Sequence, residues 1–204
     1  MTKKQVLFVI GLLSVSIVNI HGSQDLEGCN VGTTHDDSNM RTFFFKNFEN
    51  NSPKKEELLR LKLYFNGKAP AVSIAENEKQ LVFGYNHKNP NQFGIYLTHE
   101  DWMSAENPCH SEMVKDTFSQ EEYTEVDVVL QKDGRFFVIV YGNKGFAVSC
   151  QTNIIFSPES KILIGYAGNK GLHKFFYDCP MRNIQWKRFE TALLNNIQSS
   201  LKQK

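Results

Sequence analysis

The sequence predicts a mainly β protein, an antiparallel β-sandwich or an up-and-down β-barrel, with one C-terminal α-helix packed on it. Three observations predict it. Short apolar stretches, several alternating with polar residues at period two, recur from residue 42 to residue 177. They are separated by Asn, Asp, Gly and Pro turns rather than by helical crossovers, which favours antiparallel pairing. From Trp186 onward the period changes, with apolar residues at Phe189, Leu193, Ile197 and Leu201 on one helical face.

The elements follow in order. Residues 1–22 read as a signal peptide. Lys3 and Lys4 open it, residues 6–18 are apolar apart from Gly11, Ser14 and Ser16, and Gly22 is a small residue for cleavage. That apolar run is short for a membrane span. Export is therefore expected, with 23–204 as a single secreted, extracellular β-rich domain lacking an integral membrane segment. Removing Lys3 and Lys4 from the 23 basic residues leaves 21 against 22 acidic ones, so the mature chain is close to neutral. That balance excludes a polybasic nucleic-acid binder.

Residues 23–41 read as a polar lead-in, extended or partly mobile, tied down by Cys29. Strands are expected at 42–45 and at 58–65, where Arg60 and Lys62 face away from Leu59, Leu61 and Leu63. Asn66-Gly67 reads as a hairpin turn into a strand at 70–75. Further strands are expected at 79–85, 93–98, 123–130, 135–141, 146–150, 154–156, 162–166 and 172–177. Residues 99–118 read as a long connection with a short helix near 111–118. The terminal helix is placed at about 181–202, with Asp178 as a candidate cap and Pro180 in its first turn.

Four cysteines in an oxidising compartment, Cys29, Cys109, Cys150 and Cys179, predict two disulfides. Three pairings are open; chain proximity favours Cys29 with Cys109 and Cys150 with Cys179. No CxxC pair exists, so no zinc site, and no other metal or cofactor, is predicted. Asn50-Asn51-Ser52 makes Asn50 a candidate glycan acceptor, although Pro53 follows directly.

The motif Gly-Asn-Lys-Gly occurs at 142–145 and again at 168–171. A phosphate loop would be longer, end in Lys-Ser or Lys-Thr and open a helix, whereas Phe146 and Leu172 begin strands here. Both copies read as turns, and Asn143, Lys144, Asn169 and Lys170 become candidate partner contacts. The repetition also fits a duplicated hairpin unit.

Catalytic signatures are sparse. Neither HExxH nor GxSxG is present, and all four cysteines can pair. His99-Glu100-Asp101 reads as a solvated loop. Among Glu121, Glu122, Glu125 and Asp127, the last two share a strand face opposite Val126 and Val128; they supply either a carboxylate pair or a solvated face. The chain therefore reads as more consistent with a non-enzymatic protein than with an enzyme.

Aromatics are the dense feature, with 16 Phe and 7 Tyr. In a closed barrel they would line an apolar interior. Size, four cysteines, a meander and a C-terminal helix together resemble a lipocalin, which implies an eight-stranded barrel around a small hydrophobic ligand. The Gly-x-Trp that marks the start of that family is replaced by Gly32-Thr33-Thr34, and no Trp precedes Trp102, so no binding residue carries over. The expected function is protein-partner recognition by a secreted effector, inhibitor or recognition module. The alternatives are a lipocalin-like carrier or scavenger and a secreted hydrolase.

Overall fold

The computed structural model describes residues 26–35, 40–50, 53–67, 69–86, 88–113, 117–119, 121–141, 145–166 and 172–180. Among these residues, twelve strands form two six-stranded antiparallel sheets stacked as a sandwich. The first sheet takes β1 (Asn30–His35), β12 (Leu172–Tyr177), β3 (Glu57–Phe65), β8 (Thr124–Gln131), β9 (Arg135–Val140) and β10 (Phe146–Gln151), in that spatial order. The second takes β2 (Arg41–Phe44), β11 (Lys161–Tyr166), β4 (Pro70–Glu76), β5 (Lys79–Asn86), β6 (Asn89–Tyr96) and β7 (His110–Met113). The sandwich is thus the realised alternative, and neither sheet closes into the eight-stranded barrel that the lipocalin resemblance implied.

Period two decides which side chains meet between the sheets. Leu59, Leu61, Leu63 and Phe65 of β3 point inward, as do Val126, Val128 and Leu130 of β8 and Phe136, Val138 and Val140 of β9. They meet Val72, Ile74, Leu81, Phe83, Phe93 and Ile95 from the second sheet. Phe65 stacks on Phe175 with ring centroids 6.0 Å apart, and Phe83 stacks on Phe93 at the same separation. Each such fully buried ring contributes about 1.5–3 kcal/mol. The aromatic density of the sequence goes chiefly into this interior.

Several expectations are corrected. Asn66-Gly67 does not close a hairpin: β3 and β4 lie in different sheets, and the turn carries the chain across, with Gly67 at φ 84° and the Tyr166 hydroxyl accepting from Asn66 N–H at 3.1 Å. The second Gly-Asn-Lys-Gly likewise links β11 to β12 across the sheets, whereas the first joins neighbours β9 and β10, so the two are not copies of one hairpin unit. Residues 30–35 of the lead-in form β1, because Cys29 and the pairing with β12 hold them straight. Residues 154–156 lie outside any strand.

The helix of the 99–118 region sits at its start, as α1 (His99–Ser104), not at 111–118, where β7 runs instead. The expected solvated loop at His99-Glu100-Asp101 is the first turn of that helix. Thr98 caps it: its hydroxyl accepts from Asp101 N–H at 3.0 Å and donates to the Asp101 carboxylate at 2.6 Å. Trp102 then lies over Gly84 on the outer face of the second sheet and donates Nε1–H to Tyr85 O at 3.1 Å. A Cβ on Gly84 would stand 2.8 Å from that indole nitrogen. Gly84→Ala is expected to lift the ring, break this bond, cost about 1–3 kcal/mol and red-shift tryptophan emission. A urea titration followed by fluorescence reads both.

The disulfides are Cys29–Cys179 and Cys109–Cys150, not the pairing that chain proximity favoured. Antiparallel register explains the reversal. Asn30 opposes Tyr177, which sets Cys29 beside Cys179 although 150 residues separate them. Cys109–Cys150 joins the lead into β7 to β10, tying the two sheets along one side. Beside it, His110 Nδ1 accepts from Ser149 N–H at 3.0 Å and lies 3.2 Å from Ser149 O. On the opposite side, Arg41 Nε donates to Thr33 O at 2.9 Å, linking β2 to β1. The Asp178 carboxylate accepts from the backbone N–H groups of Glu49 and Asn50 at 2.8 and 2.9 Å. Residues 1–22 and the expected helix at 181–202 lie outside the described residues.

Candidate functional site

Two places gather the residues that the sequence singled out. The first is the outer face of the first sheet. Glu125 and Asp127 share that face, as expected, and register sets Asp127 opposite Lys62 and Glu125 opposite Tyr64. The Lys62 ammonium pairs with Glu125 Oε1 and stands 3.7 Å from Asp127 Oδ1. The Tyr64 hydroxyl donates to Glu125 Oε2 at 2.9 Å, and the Tyr141 hydroxyl donates to Asp127 Oδ2 at 2.9 Å. One turn of the pleat away, Arg60 donates Nε–H and Nη2–H to the two oxygens of Glu57 at 2.8 and 2.6 Å.

This face is not solvated. Asp127 is 5% exposed, Lys62 6% and Tyr141 4%. Burial pushes the Asp127 carboxyl up to about 6; the Lys62 ammonium and the Tyr141 hydrogen bond oppose the rise, and the Glu125 charge adds to it. Burial and then the Glu125 charge likewise hold the Tyr64 proton well above the ordinary phenol range. The charge count explains the direction. Once Arg60 takes Glu57, a single ammonium stands between two carboxylates, and one of them is in excess. Oδ1 of Asp127 is buried without a hydrogen-bond partner, consistent with a carboxyl that is readily protonated.

Such a network is held by its own ion pairs and hydrogen bonds and has little freedom for acid–base chemistry. Two-carboxylate hydrolysis needs both groups across an open space that admits substrate and water. Here one ammonium bridges them under cover. Glu121 and Glu122 are exposed and precede the start of β8. The four cysteines are all in disulfides. Among the described residues, no group of three His, Cys, Asp or Glu side chains is placed to hold a metal ion, and no helix is long and apolar enough to cross a membrane.

The second place is one end of the sandwich. Within each sheet odd-numbered strands run one way and even-numbered strands the other, because every pairing is antiparallel, and the short link from β3 to β4 carries the same sense from one sheet to the other. The connections β1–β2, β3–β4, β5–β6, β7–β8, β9–β10 and β11–β12 therefore leave from the same end, and a hydrogen bond from Gly67 N–H to Ser119 O ties two of them together. The turn between β5 and β6 belongs to this end, as do the strand ends that flank the two Gly-Asn-Lys-Gly segments, Val140 and Phe146, and Tyr166 and Leu172. Asn143, Lys144, Asn169 and Lys170 themselves lie outside the described residues. Asn50 sits at the opposite end, and its side-chain nitrogen donates to Asp178 O at 2.5 Å.

Sequence reasoning missed the Lys62 bridge. The signal was present: Arg60 and Lys62 alternate with leucines on one strand, and Glu125 and Asp127 alternate with valines on another. Only pairing β3 with β8 shows that the two charge rows face each other.

No family model matches the chain, and no curated protein matches it. Solved structures match it at low identity and low TM-score. A galectin of Caenorhabditis elegans is 13% identical with a TM-score of 0.39, and the match covers 71% of this chain and 94% of the galectin. A β-fructofuranosidase of Aspergillus kawachii complexed with glycerol is 14% identical with a TM-score of 0.40, over 78% of this chain. A fructosyltransferase of A. japonicus is 15% identical with a TM-score of 0.35, over 74% of this chain. The chain spans 30% and 26% of the two enzymes. Likenesses this loose carry neither a ligand nor a residue role across to this chain.

Proposed function

We propose that this is an exported, non-catalytic recognition protein that binds an extracellular protein partner through the loops at one end of the sandwich. The convergence of six connections on that end is the observation that carries the reading. Loops presented together by a rigid sheet scaffold are the usual place for contact residues. Two further observations support it. The carboxylates that would serve a hydrolase are bridged by Lys62. The space between the sheets is filled by stacked aromatic rings and branched aliphatic side chains, which disfavours a carrier.

The test uses secreted mature protein as bait in extracellular fluid, with chemical cross-linking and mass spectrometry. Lys144→Glu with Lys170→Glu is expected to reduce capture of the specific partner at least tenfold while leaving the urea midpoint unchanged. Equal capture by wild type and variant sinks the reading. A lipid-sized ligand retained in native mass spectrometry would replace it with the carrier alternative.

A further inference from the structure

We infer that Lys62 and Asp127 condense to an intramolecular isopeptide bond, a covalent staple between β3 and β8 that forms after the chain has folded. The network on this face admits no outside substrate, but it holds a nucleophile, an electrophile and a base that all belong to the chain. Lys62 and Asp127 are direct cross-strand partners. Residues so placed have Cβ atoms about 4.5–5.5 Å apart on one face of the sheet. The Lys62 Nζ stands 3.7 Å from Asp127 Oδ1 while it pairs with Glu125 Oε1. The strand register of β3 and β8 sets these three side chains together, and Tyr141 N–H, donating to Glu125 O at 2.9 Å, sets the fourth beside them. Reactants held this way meet at an effective concentration on the order of 10⁵ M or more, which free amine and acid in water never reach.

Each group has the contact its part requires. Glu125 takes a proton from the Lys62 ammonium it touches and leaves a neutral amine, the nucleophilic form. The amine lone pair forms a C–N bond to Cγ of Asp127 in its protonated state. The Tyr141 hydroxyl, 2.9 Å from Asp127 Oδ2, donates to the oxygen on which negative charge develops. Oδ1, which has no hydrogen-bond partner to hold it, leaves as water when the Cγ–Oδ1 bond breaks. That water carries the acid's own proton and one from the attacking nitrogen. The balance closes: ammonium, carboxylate and carboxylic acid become amide, water and a Glu125 carboxylic acid, with no change in total charge. The Tyr64 hydroxyl at 2.9 Å stays on the other Glu125 oxygen throughout. Burial lifts the Asp127 carboxyl to about 6, so the acid that the step consumes is populated near neutral pH. Asp127 titrates only until the bond closes, so freshly refolded chains are the ones whose pH profile reports the open network.

Intact mass spectrometry of the full mature chain, reduced and denatured for measurement, tests this. Chain kept in urea is expected at full mass. After refolding it is expected to lose the mass of one water over time, and a tryptic digest should then join the peptide containing Lys62 to the one containing Asp127. Lys62→Arg keeps a cation but offers no acylable amine, and should hold full mass indefinitely. Glu125→Gln removes the base and should slow the loss at least ~10-fold. Refolded wild type that stays at full mass after prolonged incubation overturns the proposal, whether or not either variant folds. A lost water traced to a succinimide at Asp133-Gly134, or to a bond between Lys62 and Glu125, overturns it as well. So does an equal rate of loss in folded Glu125→Gln.

Discussion

Lys62→Met is expected to destabilise the protein by about 3–5 kcal/mol at pH 7, because it removes the cation from two carboxylates that stay buried. The loss should be strongly pH-dependent. In the wild type, burial raises the Asp127 carboxyl from 3.8 to about 6, so between those values the folded protein holds a proton that the unfolded chain releases. Stability from this group is complete below the lower value and declines as pH rises through the upper one, by about 3 kcal/mol in all. In Lys62→Met the opposing ammonium is gone, so the Asp127 carboxyl rises further and the decline extends to higher pH. Asp127→Asn removes the excess charge and keeps an acceptor for the Tyr141 hydroxyl, so its profile between pH 4 and 6 should flatten. Urea unfolding at half-unit pH steps measures all three. A Lys62→Met profile parallel to the wild type would rule out the ammonium as the group that steadies the pair.

The second large effect concerns the Cys29–Cys179 bond, which closes a separation of 150 residues. Chain entropy assigns such a closure about 5 kcal/mol, and the 41-residue closure by Cys109–Cys150 about 4 kcal/mol. Cys29→Ala with Cys179→Ala should therefore lower the unfolding free energy more than Cys109→Ala with Cys150→Ala. It should also free the start of β1, which pairs with β12 along one edge. Denaturant titrations of the two double variants give the order. If the Cys109–Cys150 variant proves the weaker, bridging the two sheets matters more than shortening the unfolded chain.

Much of the fold was legible because strand periodicity is local. The inward leucines of β3, the tight turn before Arg135 and the β9–β10 reversal all follow from residues within a few positions of one another. What was not legible depended on pairing. Asn66-Gly67 carries the same turn chemistry whether the chain doubles back in one sheet or passes to the other. Nothing near Asn30 announces a strand; its partner Tyr177 lies at the far end of the chain. The candidate site behaved the same way. Glu125 and Asp127 were found on one face from their spacing alone, but a wet face and a buried one have the same local pattern, and Lys62, which decides between them, comes from a strand 63 residues earlier.

The lateral margins of the sandwich limit how anything can attach to it. At one margin the Arg41 guanidinium occupies the Thr33 carbonyl; at the other the His110 ring engages the main chain at Ser149, next to a covalent bridge. A foreign chain seeking to extend either sheet by main-chain zippering would first have to dislodge these side chains. Growth of the sheets into fibrils is opposed at the same two points, and any companion molecule is left to be gripped by side chains instead of by an added ribbon.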